Sequence, residues 1–101
     1  MGIKSLLLNF LNNLGNNKRV KALLLDFIKK SENLGLSKKD IEVAQEFLDY
    51  GEYSLCFDTI TEQLYEHQIH IDINYYNLAQ KIALEMSLEE ESYSYLKYLI
   101  Q

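Results

Sequence analysis

The sequence contains no proline, no tryptophan and only one cysteine among its 101 residues. A single cysteine cannot form an internal disulfide, which is typical of a protein in a reducing compartment. The longest uninterrupted apolar runs are three or four residues, whereas a helix that crosses a bilayer needs about 20. A membrane span is therefore not expected.

The N-terminal segment also lacks the features of a signal peptide. Its apolar run is interrupted by Asn9 and Asn12, and no cleavage site with small residues follows it. We therefore expect a cytoplasmic protein. Apolar residues make up 48% of the chain and charged residues 25%, a balance typical of one folded globular domain over residues 1–101.

The net charge of −5 is unevenly distributed along the chain. Residues 1–39 carry a charge of +6, and residues 40–101, with only two lysines, carry −11. Such an acidic segment would repel phosphate groups, so nucleic acid is not expected as a direct partner. The charge favours a basic protein as the partner.

Three amphipathic helices are predicted in the first half, because apolar residues recur there at spacings of three and four. Each of these apolar patterns is followed by a glycine that can end a helix. The three glycines are Gly15, Gly35 and Gly51. Asn16 or Asn17 is expected to cap the second helix, and Ser37 with Asp40 to form the start of the third.

The second half predicts further helices of the same kind. The fourth runs from Tyr53 to Glu66, and an extended connector of five residues follows it at 69–73. Asp72 or Asn74 caps a fifth helix, and the capping sequence Ser87-Leu-Glu-Glu90 begins a last helix that continues to the C-terminus. The sequence thus predicts an all-α, compact single domain of five or six short antiparallel amphipathic helices.

Cys56, His67 and His70 are the residues that could carry chemistry. Cys56 and His67 are eleven residues apart in one predicted helix, about 16 Å, so they cannot form a nucleophile pair. Cys56 also lies on the apolar face, where cysteine packs as a small hydrophobe. The two histidines surround a predicted helix end without a second cluster of ligands. We expect no enzyme activity, no metal and no cofactor, and a small hydrolase or metal protein that uses these three residues is the least favoured alternative.

The acidic residues of the third and fourth predicted helices follow a pattern. Carboxylates recur there at spacings of three, four and eight, with almost no lysine between them. A tyrosine among carboxylates is typical of a protein interface. The residues predicted to bind a partner are Glu46, Asp49, Asp58, Glu62, Tyr65 and Glu66.

Three alternatives remain open from the residues alone. The acidic surface could serve solubility only. The basic first third could be the binding surface instead, through Lys18, Arg19, Lys21, Lys29 and Lys30. A helical adaptor could bind another helical protein through exposed tyrosines such as Tyr93 and Tyr98.

Part of the sequence resembles a known family. The run LDYGEYSLCFDTITEQLYE at 48–66, the connector Ile69-x-Ile71, a tyrosine at 75 or 76, Leu84-x-Met86 and the closing Tyr-x-x-x-Leu-Ile at Tyr95 to Ile100 are similar to the MafI family of bacterial immunity proteins. Related proteins in contact-dependent growth inhibition systems are called CdiI. The matched positions span 48–100, about half of the chain. Cys56 stands where the family often has alanine. Met86-Ser87 stands where the family commonly has Met-Gly.

The resemblance implies a small cytoplasmic antitoxin that binds the C-terminal domain of a polymorphic toxin and blocks it. In this family the toxin is frequently a ribonuclease, including the EndoU-like kind. A nuclease presents positive charge to hold phosphates, so an acidic helical face fits the surface that such an inhibitor would cover.

Overall fold

The fold consists of four α-helices followed by two short 3-10 segments, as seen in a computed structural model. The structure describes residues 3–101, and within the first helix it leaves out the side chains of residues 5, 6 and 8–16. The α-helices are α1 (Ile3–Leu34), α2 (Lys38–Asp49), α3 (Tyr53–Glu66) and α4 (Ile73–Glu85). The 3-10 segments span Glu90–Ser92 and Ser94–Leu99. The predicted all-α single domain is confirmed.

The predicted break at Gly15 is wrong, because α1 is one helix of 32 residues. A glycine in a helix interior costs only about 1 kcal/mol relative to alanine, which the neighbouring turns can absorb when no proline follows. Of the apolar face predicted for the first turns, Ile3 and Leu7 are 83% and 55% exposed. The side chains of Leu6, Phe10, Leu11 and Leu14 lie outside the description.

Aromatic rings of three helices meet at the centre of the core. The ring of Phe27 on α1 stacks on Phe57 of α3 at 5.5 Å and on Tyr75 of α4 at 4.8 Å between centroids. Leu24 and Leu48 are buried in the same core, which joins all four α-helices. Burial of such side chains supplies about 1.5–3 kcal/mol each, so this contact fixes how α1, α3 and α4 pack together.

Helix starts follow the predicted caps at two places. The amide of Asp40 donates to Ser37 Oγ at 3.1 Å, and the amide of Tyr75 donates to Asp72 Oδ1 at 2.8 Å. Both bonds satisfy amides that have no partner within the helix. The predicted start of α2 and the Asp72 cap of α4 are therefore confirmed.

All four α-helices end in the same Schellman geometry, in which two amides beyond the helix bond back to carbonyls of its last turn. The motif needs one residue in the left-handed region. Gly35 and Gly51 fill this position after α1 and α2, whereas Gln68 and Ser87 fill it after α3 and α4, with φ of 51° and 55°. Ser87 therefore ends α4 instead of capping a following helix.

The predicted last α-helix is replaced by the 3-10 segments. Tyr93, Leu96 and Leu99 are the buried residues of this region, and their spacing of three matches the three residues per turn of a 3-10 helix. The predicted extended connector has a partner here, because the Ile71 amide donates to Leu99 O at 3.0 Å and the Gln101 amide donates to Ile71 O at 3.0 Å. This bridge holds the C-terminal segment against the connector between α3 and α4.

Candidate protein-binding surface

One acidic face lies on α3. Asp58, Glu62, Tyr65 and Glu66 recur at spacings that place them on one side of the helix, away from the buried Ile60 and Leu64. Glu62 and Glu66 are exposed, Asp58 is half-buried, and Tyr65 is 41% exposed. The residues predicted on this helix therefore share one accessible surface.

Tyr95 of the second 3-10 segment completes this surface. Its ring meets Tyr65 edge to face at 5.3 Å, and its hydroxyl donates to Thr61 Oγ1 at 2.8 Å. Burial raises the pKa of Tyr95, and the negative charges of Glu62 and Asp58 raise it further, against the lowering effect of the Thr61 hydrogen bond. We call Asp58, Glu62, Tyr65, Glu66 and Tyr95 the α3 face.

The carboxylates of the α3 face have no cationic partner among the described residues. The ion pairs of the described chain involve other acids, namely Asp26, Asp40, Glu42 and Glu85. Partial burial raises the pKa of Asp58, because removal from water disfavours its charged form. A cation brought to this face would relieve that penalty.

Glu46 and Asp49, the two acids predicted on α2, make their described contacts within α2 and the turn after it. Glu46 lines a groove with Val43, Phe47, Tyr50 and Glu52. Asp49 accepts a hydrogen bond from Gln45 Nε2 at 2.9 Å. No hydrogen bond or ion pair of the described residues joins either acid to the α3 face.

The rival basic surface on α1 is partly neutralised. Lys30 Nζ lies 2.7 Å from Asp26 Oδ1, and Arg19 Nε lies 3.5 Å from Glu85 Oε2. Lys18, Lys21 and Lys29 are exposed on the same helix. Ion pairs thus reduce the basic charge of α1, whereas no ion pair of the described residues reduces the acidic charge of the α3 face.

The side chains proposed for chemistry are not brought together. Cys56 is fully buried, and burial raises its pKa to about 12, so its thiol packs as a core hydrophobe. His67 is the C-cap residue of α3, with Nε2 at 3.8 Å from Asp40 Oδ2, and His70 is exposed in the connector. Across the described part of the chain, no group of three or more His, Cys, Asp or Glu side chains could hold a metal ion.

The two tyrosines proposed for an adaptor differ in exposure. Tyr93 is only 6% exposed, so its predicted exposure is wrong, because the 3-10 period turns it into the core. Tyr98 is 73% exposed, with Lys97 Nζ at 5.4 Å from its ring centroid.

Comparisons with known proteins give no relative. No protein family matches the chain, and neither the curated proteins nor the solved structures contain a significant match. No helix among the described residues is long and apolar enough to span a membrane.

Proposed function

We propose that this protein is an immunity protein that binds and neutralises a cognate bacterial toxin, a ribonuclease domain of the EndoU-like or a similar kind. The observation that carries the proposal is the α3 face, where three carboxylates without a cationic partner lie beside Tyr65 and Tyr95. The toxin class is the one that the resemblance of residues 48–100 to the MafI family implies.

The electrostatics of the α3 face fit a nuclease as the partner. A nuclease holds phosphates with lysine and arginine, and a carboxylate surface attracts such a site over long range and speeds association. Tyr65 and Tyr95 add large, rigid apolar area, which interfaces favour in tyrosine. The same negative charge keeps RNA itself away from the inhibitor.

The mechanism is occlusion without turnover. The α3 face covers the basic active-site surface of the toxin, so that RNA cannot enter. Since the toxin acts on RNA in the cytoplasm, the immunity protein works there as well. Asp58 contributes to binding because a cationic side chain of the toxin replaces the water that its carboxylate lost on folding.

Co-expression with the toxin domain encoded next to this gene tests the proposal. The parent chain should rescue growth and form a complex at low salt. The variant Glu62→Lys/Glu66→Lys should associate with the toxin domain more slowly than the parent chain. Its association rate should also depend differently on salt concentration, because the charge that attracts the basic partner is reversed.

The matched control is Glu89→Lys/Glu91→Lys, which changes the net charge equally at exposed positions outside the α3 face. It should rescue growth like the parent chain. Equal effects of the two charge reversals would show that only net charge matters, and absence of a complex with the parent chain would overturn the proposal.

A helical adaptor is the second candidate, since Tyr98 stands 73% exposed on the C-terminal segment. Tyr98→Ala should then abolish partner binding, whereas the immunity proposal expects toxin binding to survive this change. A neighbouring gene for a large secreted protein with a variable C-terminal domain would favour immunity.

A further inference from the structure

The groove beside the end of α2 has the chemistry of a binding site for a basic side chain. It holds about 470 Å³ and is lined by Val43, Glu46, Phe47, Tyr50 and Glu52. Val43 is 37% exposed and Tyr50 is 77% exposed, so the groove offers apolar and aromatic surface to a partner.

The turn after α2 builds this groove. Val43, Glu46, Phe47 and Tyr50 share one side of the helix because they follow each other at spacings of three and four. Gly51, with φ of 74°, turns the chain so that the amide of Glu52 donates to Phe47 O at 2.8 Å. The turn thus places a second carboxylate beside the aromatic rings.

We propose that this groove receives an arginine side chain of the basic partner. The inference rests on the proposed function, whose partner carries arginine and lysine. The methylene stem of the arginine packs on Val43 and Phe47, and its planar guanidinium stacks on the Tyr50 ring. Glu46 and Glu52, which have no cationic partner among the described residues, accept hydrogen bonds from the guanidinium.

Arginine fits this groove better than lysine does. A guanidinium is planar and weakly hydrated, so it can stack on an aromatic ring and bind carboxylates at once, whereas an ammonium acts as a hydrated point charge. A second copy of this chain is a poor source of the arginine. Its only arginine is Arg19, which lies 3.5 Å from Glu85 in an ion pair.

A peptide titration tests the groove independently of the toxin. The full chain, labelled with ¹⁵N, is titrated at low salt with a capped pentapeptide of alternating glycine and arginine, and then with its lysine counterpart. We expect the amide shifts to centre on residues 43–52 and the arginine peptide to bind more tightly than the lysine peptide.

Variants then separate stacking from charge. Tyr50→Ala should weaken binding of the arginine peptide by about threefold or more, as expected for loss of an exposed cation–π contact, and Glu46→Gln/Glu52→Gln should weaken both peptides. Tyr98→Ala removes an equally exposed tyrosine elsewhere and should change nothing. Shifts centred outside the groove, equal binding of both peptides, or an unchanged affinity for Tyr50→Ala would overturn the inference.

Toxin binding distinguishes this inference from the proposed function. If Tyr50→Ala binds the toxin as the parent chain does while Glu62→Lys/Glu66→Lys does not, the groove is wrong as a contact and the immunity proposal stands. If the parent chain binds no toxin but the peptide titration succeeds, the proposed function fails and the arginine site remains. Concentration-dependent self-association that Tyr50→Ala removes would identify a second copy as the occupant and overturn the inference.

Discussion

The hydroxyl oxygens of Ser31 and Tyr75 lie 2.6 Å apart inside the core, where they join α1 to α4. Ser31 Oγ also donates to Phe27 O at 2.6 Å. Because serine has one hydroxyl hydrogen, the Tyr75 hydroxyl must donate to Ser31. Burial raises the pKa of Tyr75, which keeps this donor protonated.

Removal of Ser31 should cost more than removal of the Tyr75 hydroxyl. Ser31→Ala leaves the buried tyrosine hydroxyl without an acceptor, at about 1–3 kcal/mol, whereas Tyr75→Phe loses one hydrogen bond, at about 1 kcal/mol. The double variant should be less destabilised than the sum of the two, because no unpaired hydroxyl remains. Urea unfolding of the four proteins measures this coupling, and strictly additive losses would contradict it.

Ser87→Gly should stabilise the protein. Ser87 has φ of 55°, is exposed, and makes no described side-chain hydrogen bond. Glycine adopts this conformation without the steric penalty, so we expect a gain of about 0.5–1 kcal/mol in the free energy of unfolding. Thermal unfolding followed by circular dichroism measures it.

The control for Ser87→Gly is Asn77→Gly, which places glycine in the interior of α4. This change should lower the free energy of unfolding, since glycine is a poor helix former. If both glycine variants lose stability, the left-handed conformation of Ser87 does not cost the free energy that we expect for a residue with a side chain.

Asp58→Asn should raise stability at neutral pH but not in acid. Burial raises the pKa of Asp58 in the folded state, so the parent chain loses stability as pH rises from the ordinary carboxyl pKa through the raised one. The gain from Asp58→Asn should be small at about pH 3, where both states are protonated, and complete near pH 7. Glu91→Gln, at an exposed position, corrects for the change in net charge.

The same Asp58→Asn variant should bind a basic partner less tightly, because it removes a carboxylate of the α3 face. Opposite effects on stability and on binding would indicate that Asp58 is retained for recognition. Equal or tighter toxin binding by Asp58→Asn, measured by calorimetry, would remove Asp58 from the interface.

Cys56 should react with a disulfide reagent only after the protein opens. Its thiol is fully buried and its pKa is raised to about 12, so very little thiolate is available at neutral pH. Labelling should be slow in buffer and fast in urea. Rapid stoichiometric labelling of the folded protein would contradict the core position.

The helix limits that depend on local chemistry were predictable from the sequence. Ser37 and Asp72 cap their helices through the next few amides, and Gly51 ends α2 by its own backbone freedom. The break predicted at Gly15 is wrong because a glycine weakens a helix without forcing it to end, so the residue alone does not fix a helix limit. The left-handed conformation of Ser87 was hidden because serine also begins helices.

The candidate site was predictable in part, for a similar reason. Helical periodicity places Asp58, Glu62 and Tyr65 together, since they lie within two turns of each other. Tyr95 was missed because it comes from a segment 30 residues later, and only tertiary packing brings it to Tyr65. The groove that Glu46 lines also includes Glu52, which lies beyond the turn after α2, and no single-helix pattern specifies that arrangement.

Because Tyr95 lies in a 3-10 segment, amide exchange in that segment should indicate whether a partner is bound to the α3 face. Bonds of 3-10 geometry are poorer than those of an α-helix, so the amides of residues 94–99 should exchange with deuterium before those of α3. A partner seated against Tyr95 would have to hold this segment closed. Its arrival would then slow exchange at backbone positions that it never touches.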